Sequence, residues 1–167
     1  VTQNGKKEGL IKSDKYILNF EEIKITSSFF NPFSIFSLFL LMGLYITFRD
    51  HKRKKRTKWF DFILFFSTGL VGVLIVFLWF FTDHSTTPSN FNFLWAFAPN
   101  SIIAFVLLKN DIKKWVPYYF SILIIFLIMI PVIWLAKIQL FPLASIPLIL
   151  LLTLRCLSLK KTLLSLK

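Results

Sequence analysis

Five long apolar runs constrain this chain more than any other feature, because each carries almost no charge over roughly 17 to 20 residues. A water-soluble helix shows polar residues at every second or third position, whereas about 20 apolar residues in a helix match the thickness of a bilayer core. The runs are Pro32–Phe48, Phe62–Phe81, Phe91–Leu108, Val116–Leu135 and Phe141–Leu157. They predict an all-α fold, a polytopic membrane bundle of about five transmembrane helices.

The segments outside these runs divide the chain into three parts. Residues 1–28 are polar, and the alternating pattern over 15–26 predicts one or two short strands. We assign 29–160 to a five-helix transmembrane domain and 161–167 to a cytoplasmic tail. Since the first residue is Val and the polar segment has no start signal, we expect 1–28 to be the end of an outer, periplasmic domain whose front is missing.

The formal net charge of +12 would favour nucleic acid as a partner if the chain were soluble. The positive residues are concentrated between the first two apolar runs, where a cytoplasmic loop beside anionic lipid is the better explanation. We therefore expect membrane lipids and no nucleic acid as partners. The loop residues are Arg49, Lys52, Arg53, Lys54, Lys55, Arg56 and Lys58.

The distribution of Lys and Arg also predicts the orientation. With that loop inside, 14 positive residues face the cytoplasm and 6 face outward, as the positive-inside rule requires. The amino end is then outside and the carboxyl end inside. All five tryptophans fall near the ends of predicted spans, which is typical of an interfacial aromatic belt.

Asp83 and His84 are the candidate catalytic residues, in the polar segment that follows the second run. An imidazole near a carboxylate can act as a general base or proton shuttle, since its pKa lies near neutrality. The alternative is that both side chains form hydrogen bonds that organise the loop. Adjacent side chains in an extended loop point apart, so a catalytic role requires other partners.

Three amides at the membrane edge, Asn90, Asn92 and Asn100, are candidate substrate-binding residues. Polar groups at this depth require partners, so we expect them to face the bundle interior or the outer loop. Asn90 and Asn92 also suit a turn or a helix cap, and we leave both interpretations open. The pair Pro99-Asn100 is expected to break the third run, and a broken helix at membrane depth indicates a binding site.

Several chemistries find no support in the sequence. His51 and His84 lie on opposite predicted faces of the membrane, so no metal site is expected. We find no glycine-rich phosphate loop and no nucleophile elbow, and we expect no cofactor. Cys156 lies near the predicted cytoplasmic surface and is a poor nucleophile for chemistry at the outer face.

Two segments carry a resemblance to a known family. KRTKWFDFILFFSTGLVG at 55–72, followed by WFFTDHSTTPSNFNFLWAFAPN at 79–100, resembles the carboxy-terminal five-span domain of the Lnb-type lipoprotein N-acyltransferases. The resemblance implies that a periplasmic domain of cysteine-peptidase-like fold, absent from this chain, carries the thiol nucleophile. It also implies acylation of a lipoprotein's amino terminus at the outer face of the bacterial inner membrane, with lipids and lipoproteins as partners.

The resemblance leads to the hypothesis that 29–160 anchors a catalytic domain and presents lipid substrates at the outer face. We expect the chain alone to be inactive as an enzyme. Two alternatives come from other functional classes. One is a non-enzymatic membrane anchor, and the other is a small transporter-like bundle that uses Asp83 and His84 as a proton relay.

If Asp83 and His84 form a functional rim at the outer face, His84→Ala in the full-length protein should reduce acyl transfer, because the imidazole is expected to help position or activate substrate. Membrane insertion should be unchanged. The measurement is lipoprotein N-acylation at equal levels of membrane-inserted protein, and unchanged acylation would contradict the hypothesis.

Overall fold

A computed structural model describes residues 2–3, 6–7, 30–81 and 90–165. Two short strands, β1 Thr2–Gln3 and β2 Lys6–Lys7, pair in antiparallel fashion. The strands predicted within 15–26 lie outside the described residues. The helices among the described residues are α1 Pro32–Arg53, α2 Lys58–Phe81, α3 Asn100–Leu108, α4 Val116–Leu135 and α5 Ser145–Ser165, with a 3-10 helix at Phe91–Leu94.

This architecture confirms the predicted all-α membrane helix bundle. Helices α1, α2 and α4 contain 22, 24 and 20 residues and are each apolar enough to cross a membrane. Helix α5 has 21 residues and carries Arg155 and two lysines in its second half. Helix α3 has only nine residues, which corresponds to about 13 Å of axial rise and less than half of a bilayer core. The third apolar run is therefore not one continuous helix.

The ends of α1 follow from local sequence. Its start is capped by Asn31, whose side chain accepts a hydrogen bond from Ser34 N at 2.8 Å, and Pro32 occupies the first turn. The helix continues past the predicted end at Phe48 into the basic segment, because positive side chains in a last turn interact favourably with the helix dipole. The helix ends at Arg53, and the residue that caps it, Lys54, adopts the left-handed conformation with φ 49°.

Helix α2 packs closely against the start of α3. A Cβ atom on Gly69 would lie 2.1 Å from Ser101 N, and one on Gly72 would lie 1.9 Å from Ala96 O. The two glycines thus let the backbone of 96–101 approach α2 closely. Since Gly69 lies near the midpoint of α2, the break before α3 lies about halfway along that helix.

Helix α5 packs against both α1 and α4. Gly43 lies beside Leu151, and four residues further along both helices Thr47 accepts a hydrogen bond from Arg155. Helices α1 and α5 therefore run parallel. The buried core joins side chains from α2 to α5, including Phe65, Leu107, Phe120 and Leu159.

One end of the bundle collects the basic residues, and we call it the basic end. The end of α1, the start of α2 and the end of α3 meet there, because Arg56 Nη2 donates to Leu107 O at 2.7 Å and Lys58 donates to Asn110. The opposite end, which we call the far end, holds Phe81 and the connection between α4 and α5. The predicted orientation places the basic end in the cytoplasm, and it stays a prediction.

The close approach at Gly72 predicts that Gly72→Ala destabilises the bundle by about 1–3 kcal/mol, because the new methyl group would meet backbone atoms that cannot rotate away. Gly43→Ala is the matched control, since its new methyl group would meet side chains and no backbone, with the tip of Leu151 at 2.1 Å and Phe60 Cζ at 3.4 Å. Thermal unfolding of the intact chain in detergent measures both. Equal midpoints for the two variants would contradict the packing described for α2.

Candidate functional site

The basic end contains a buried ion pair between α2 and α5. Arg155 is 1% exposed and Asp61 is fully buried. Arg155 donates to Asp61 Oδ1 from Nε at 2.9 Å and from Nη2 at 2.5 Å. Charge-assisted hydrogen bonds of this kind are strong because both partners are ionised, and in hydrocarbon neither partner has water as an alternative.

The same guanidinium group also reaches α1. Arg155 Nη1 donates to Thr47 Oγ1 at 2.9 Å, and Nη2 lies 3.2 Å from Asp50 Oδ2. Asp50 is in turn held by Thr57, whose backbone N–H donates at 3.0 Å and whose hydroxyl donates at 2.5 Å. One arginine thus ties together three helices and the connection between α1 and α2.

The predicted basic loop is shorter in the structure than in the sequence-based interpretation. Its first three members belong to the last turns of α1, and Lys58 is the first residue of α2. Arg49 donates to Thr57 Oγ1 at 2.8 Å, while burial lowers the pKa of Arg56 and the charge of Asp61 opposes that shift. Arg49 and Arg56 thus make contacts within the protein.

Asn90 and Asn92 organise the 3-10 helix before α3. The Asn90 side chain accepts from Asn92 N at 3.1 Å and from Asn92 Nδ2 at 2.8 Å. Asn92 Oδ1 accepts from Trp95 Nε1 at 2.9 Å, and Gln139 Oε1 accepts from Phe91 N at 2.7 Å. Both amides therefore form a cap and a turn here, which is one of the two interpretations left open by the sequence, and substrate contact stays a prediction.

Asn100 lies at the break in the third run and is fully buried. Its Oδ1 accepts a hydrogen bond from the Tyr119 hydroxyl, and its Nδ2 lies 3.4 Å from Thr68 Oγ1. The amide thus faces the bundle interior, which is one of the two locations expected from the sequence, and its role in substrate binding stays a prediction. It connects the first turn of α3 with α2 and α4, where the irregular backbone needs satisfied polar groups.

An apolar groove of about 390 Å³ lies next to this break. We call it the mid-bundle groove. Its walls come from α1, α2 and α5, together with Trp95 from the segment before α3. Thr68 both lines the groove and contacts Asn100, so the groove reaches the broken span. The lining residues are Phe36, Phe39, Met42, Phe60, Ile63, Leu64, Ser67, Thr68, Val71, Trp95, Leu148 and Leu151.

The structure describes three of the five predicted catalytic and substrate-binding residues, namely Asn90, Asn92 and Asn100. Asp83 and His84 lie outside the described residues, so their predicted roles remain predictions. Asn100 contacts the groove through Thr68, whereas Asn90 and Asn92 are tied to one another and to Trp95. Cys156 is fully buried in the core. Among residues 30–81 and 90–165, no group of three metal-ligating side chains occurs.

Sequence reasoning missed the buried ion pair. Neither Asp61 nor Arg155 is among the sequence-predicted site residues. The available signal was a single acid that directly precedes the second apolar run and a single arginine near the end of the fifth, and opposite charges at such positions favour pairing.

The fold and this site define a multi-pass membrane protein whose helix bundle includes a broken span. Residues 24–165 match the sequence profile of the family described as the Lnb transmembrane domain. This chain belongs to that family. No curated protein and no solved structure matches the chain.

The ion pair predicts that Arg155→Ala destabilises the bundle by about 3–5 kcal/mol, because it leaves the buried Asp61 carboxylate without its partner. Lys160→Ala on the same helix is the control and should have little effect. The double variant Arg155→Met/Asp61→Leu should recover part of the loss, since it removes both buried charges. Unfolding of the purified chain in detergent measures all three, and equal effects of Arg155→Ala and Lys160→Ala would contradict this role.

Proposed function

We propose that this chain is the membrane domain of a lipoprotein N-acyltransferase-like protein in the bacterial inner membrane. It anchors a periplasmic catalytic domain and holds the acyl chain of a lipid substrate in the mid-bundle groove. The observation that carries the proposal is the groove itself, in a chain of the Lnb transmembrane domain family.

The chemistry of the groove suits an acyl chain. Ser67 and Thr68 are the only hydroxyl-bearing residues in its lining, and each hydroxyl donates within α2, Ser67 to Ile63 O at 2.7 Å and Thr68 to Leu64 O at 3.0 Å. A surface of this kind offers hydrocarbon contact and few competing hydrogen bonds. The volume of about 390 Å³ also falls within the range of about 300–1,000 Å³ that is typical of ligand sites.

The position of the groove on α1 and α5 supports the proposal that it presents the acyl chain toward the far end. The lining residues of α1 and α5 come from the halves of those helices remote from the basic end, at 36–42 and 148–151, whereas the α2 lining extends from Phe60, near the basic end, to Val71. With the basic end in the cytoplasm, an acyl chain in the groove would come from the outer leaflet. The chain that follows Phe81 leads from the far end through Asp83 and His84 to Asn90, so the candidate rim residues are close in sequence to this end.

The second candidate is a membrane anchor with no lipid site. The observation that favours it is the polar pairing within the bundle, because Arg155 with Asp61 and Asn100 with Tyr119 stabilise a fold without any ligand. An anchor predicts that an unrelated membrane span can replace residues 29–160 with acylation retained. The lipid-presenting domain predicts that acylation is lost in that exchange.

A single bulky side chain in the groove tests the proposal with a smaller change than replacing residues 29–160. Val71→Trp should reduce lipoprotein N-acylation about tenfold, equivalent to about 1.4 kcal/mol, because the indole ring would occupy the space of the acyl chain. Leu70→Trp is the matched control, since Leu70 is 47% exposed and does not line the groove.

The measurement is the acylated fraction of lipoprotein amino termini, by mass spectrometry, in bacteria that depend on the full-length protein. Protein levels in the membrane are compared by immunoblot. Full acylation with Val71→Trp at a normal protein level would contradict a role for the groove.

A further inference from the structure

A second groove, of about 420 Å³, lies between α1 and α5 at the basic end. We call it the basic-end groove. It lies on the opposite side of α1 from the mid-bundle groove, because Met42 lines one, Leu44 lines the other, and Gly43 between them faces α5. The two grooves share no lining residue. The lining of the basic-end groove is Leu44, Thr47, Phe48, His51, Leu154, Leu157, Ser158 and Lys161.

The lining changes from apolar to polar in the same direction on both helices. Since α1 and α5 run parallel, Leu44 and Leu154 lie deeper in the bundle, while His51 and Lys161 lie nearer the basic end. Seven residues of helix separate each deep residue from its polar counterpart, a rise of about 10 Å. A phospholipid has the same profile, with hydrocarbon at depth and a charged phosphate at the interface.

The polar rim provides donors for a phosphate group. Lys161 is exposed, and the Ser158 hydroxyl makes no hydrogen bond to another described residue. Thr47 Oγ1 accepts from Arg155, which leaves its own hydrogen available. Asp50 is the nearby acid, and its carboxylate is held by Thr57 and Arg155 and does not line the groove.

We infer that the basic-end groove binds one anionic phospholipid, with its phosphate at Lys161, His51 and Ser158 and an acyl chain along Leu44, Phe48, Leu154 and Leu157. Charge complementarity selects this occupant, because basic pockets between transmembrane helices bind acidic head groups. The bound lipid bridges α1 and α5 on the side opposite the mid-bundle groove. This site is independent of the proposed acyl transfer, and it binds lipid as a structural ligand.

The test uses the intact chain purified in detergent, with phosphatidylglycerol as the probe and phosphatidylcholine as the neutral comparison. Native mass spectrometry gives the dissociation constant for the first bound lipid. Lys161→Gln should weaken phosphatidylglycerol binding about fivefold, the effect of one positive side chain near an anionic head group. Lys160→Gln makes the same charge change on the neighbouring residue, which does not line the groove, and should change binding less than twofold.

A second variant distinguishes lipid binding in the groove from non-specific attraction of anionic lipid to the positive charges. Leu157→Trp keeps every charge and fills the apolar wall, so it should also weaken phosphatidylglycerol binding. Leu157 is 51% exposed, and its replacement should leave the thermal unfolding midpoint near that of the unmodified chain. Equal losses for Lys161→Gln and Lys160→Gln would overturn the proposal, as would phosphatidylcholine binding as tight as that of phosphatidylglycerol.

Discussion

The bundle depends on one buried arginine. Arg155 is the point at which α5 meets both Asp61 of α2 and Thr47 of α1, and its second carboxylate partner, Asp50, holds the connection between α1 and α2. Arg155 and Asp61 are shielded from water inside the bundle, so the contacts of Arg155 fix which helix ends meet. The parallel packing of α1 on α5 follows from these contacts. The mid-bundle groove lies nearer the far end of the same two helices, at 36–42 and 148–151.

The broken third span contributes Trp95 to the lining of the mid-bundle groove. A nine-residue α3 cannot cross the membrane alone, and Gly69 and Gly72 let the preceding backbone approach α2 within contact distance. Asn100 then satisfies its amide through Tyr119 and Thr68, so the break is stabilised inside the protein. Trp95, in the irregular segment before α3, lines the mid-bundle groove, so this segment contributes directly to the proposed lipid site.

Much of this fold could be predicted from the apolar runs, since their length and lack of charge fix the class and the number of helices. The fourth run matches α4 residue for residue, because its composition is uniformly apolar up to Leu135. The high free energy of a buried unpaired amide also predicted that Asn100 faces either the interior or the outer loop, and the structure has it in the interior. The Arg155–Asp61 pair was not, because the two residues lie 94 positions apart and only tertiary packing brings them together. Helix α1 extends past the apolar run that ends at Phe48, because a basic last turn suits both helix geometry and the helix dipole, so charge marks the end of the run and not of the helix.

Direct labelling by a lipid tests the central claim that the mid-bundle groove holds an acyl chain. The full-length protein in bacterial membranes is exposed to a phospholipid with a photoactivatable group in its acyl chain, and labelled residues are identified by mass spectrometry. The account predicts preferential labelling of groove residues such as Phe39, Met42 and Val71. Labelling spread equally over exposed side chains of α4, such as Ile125 and Val132, would contradict it.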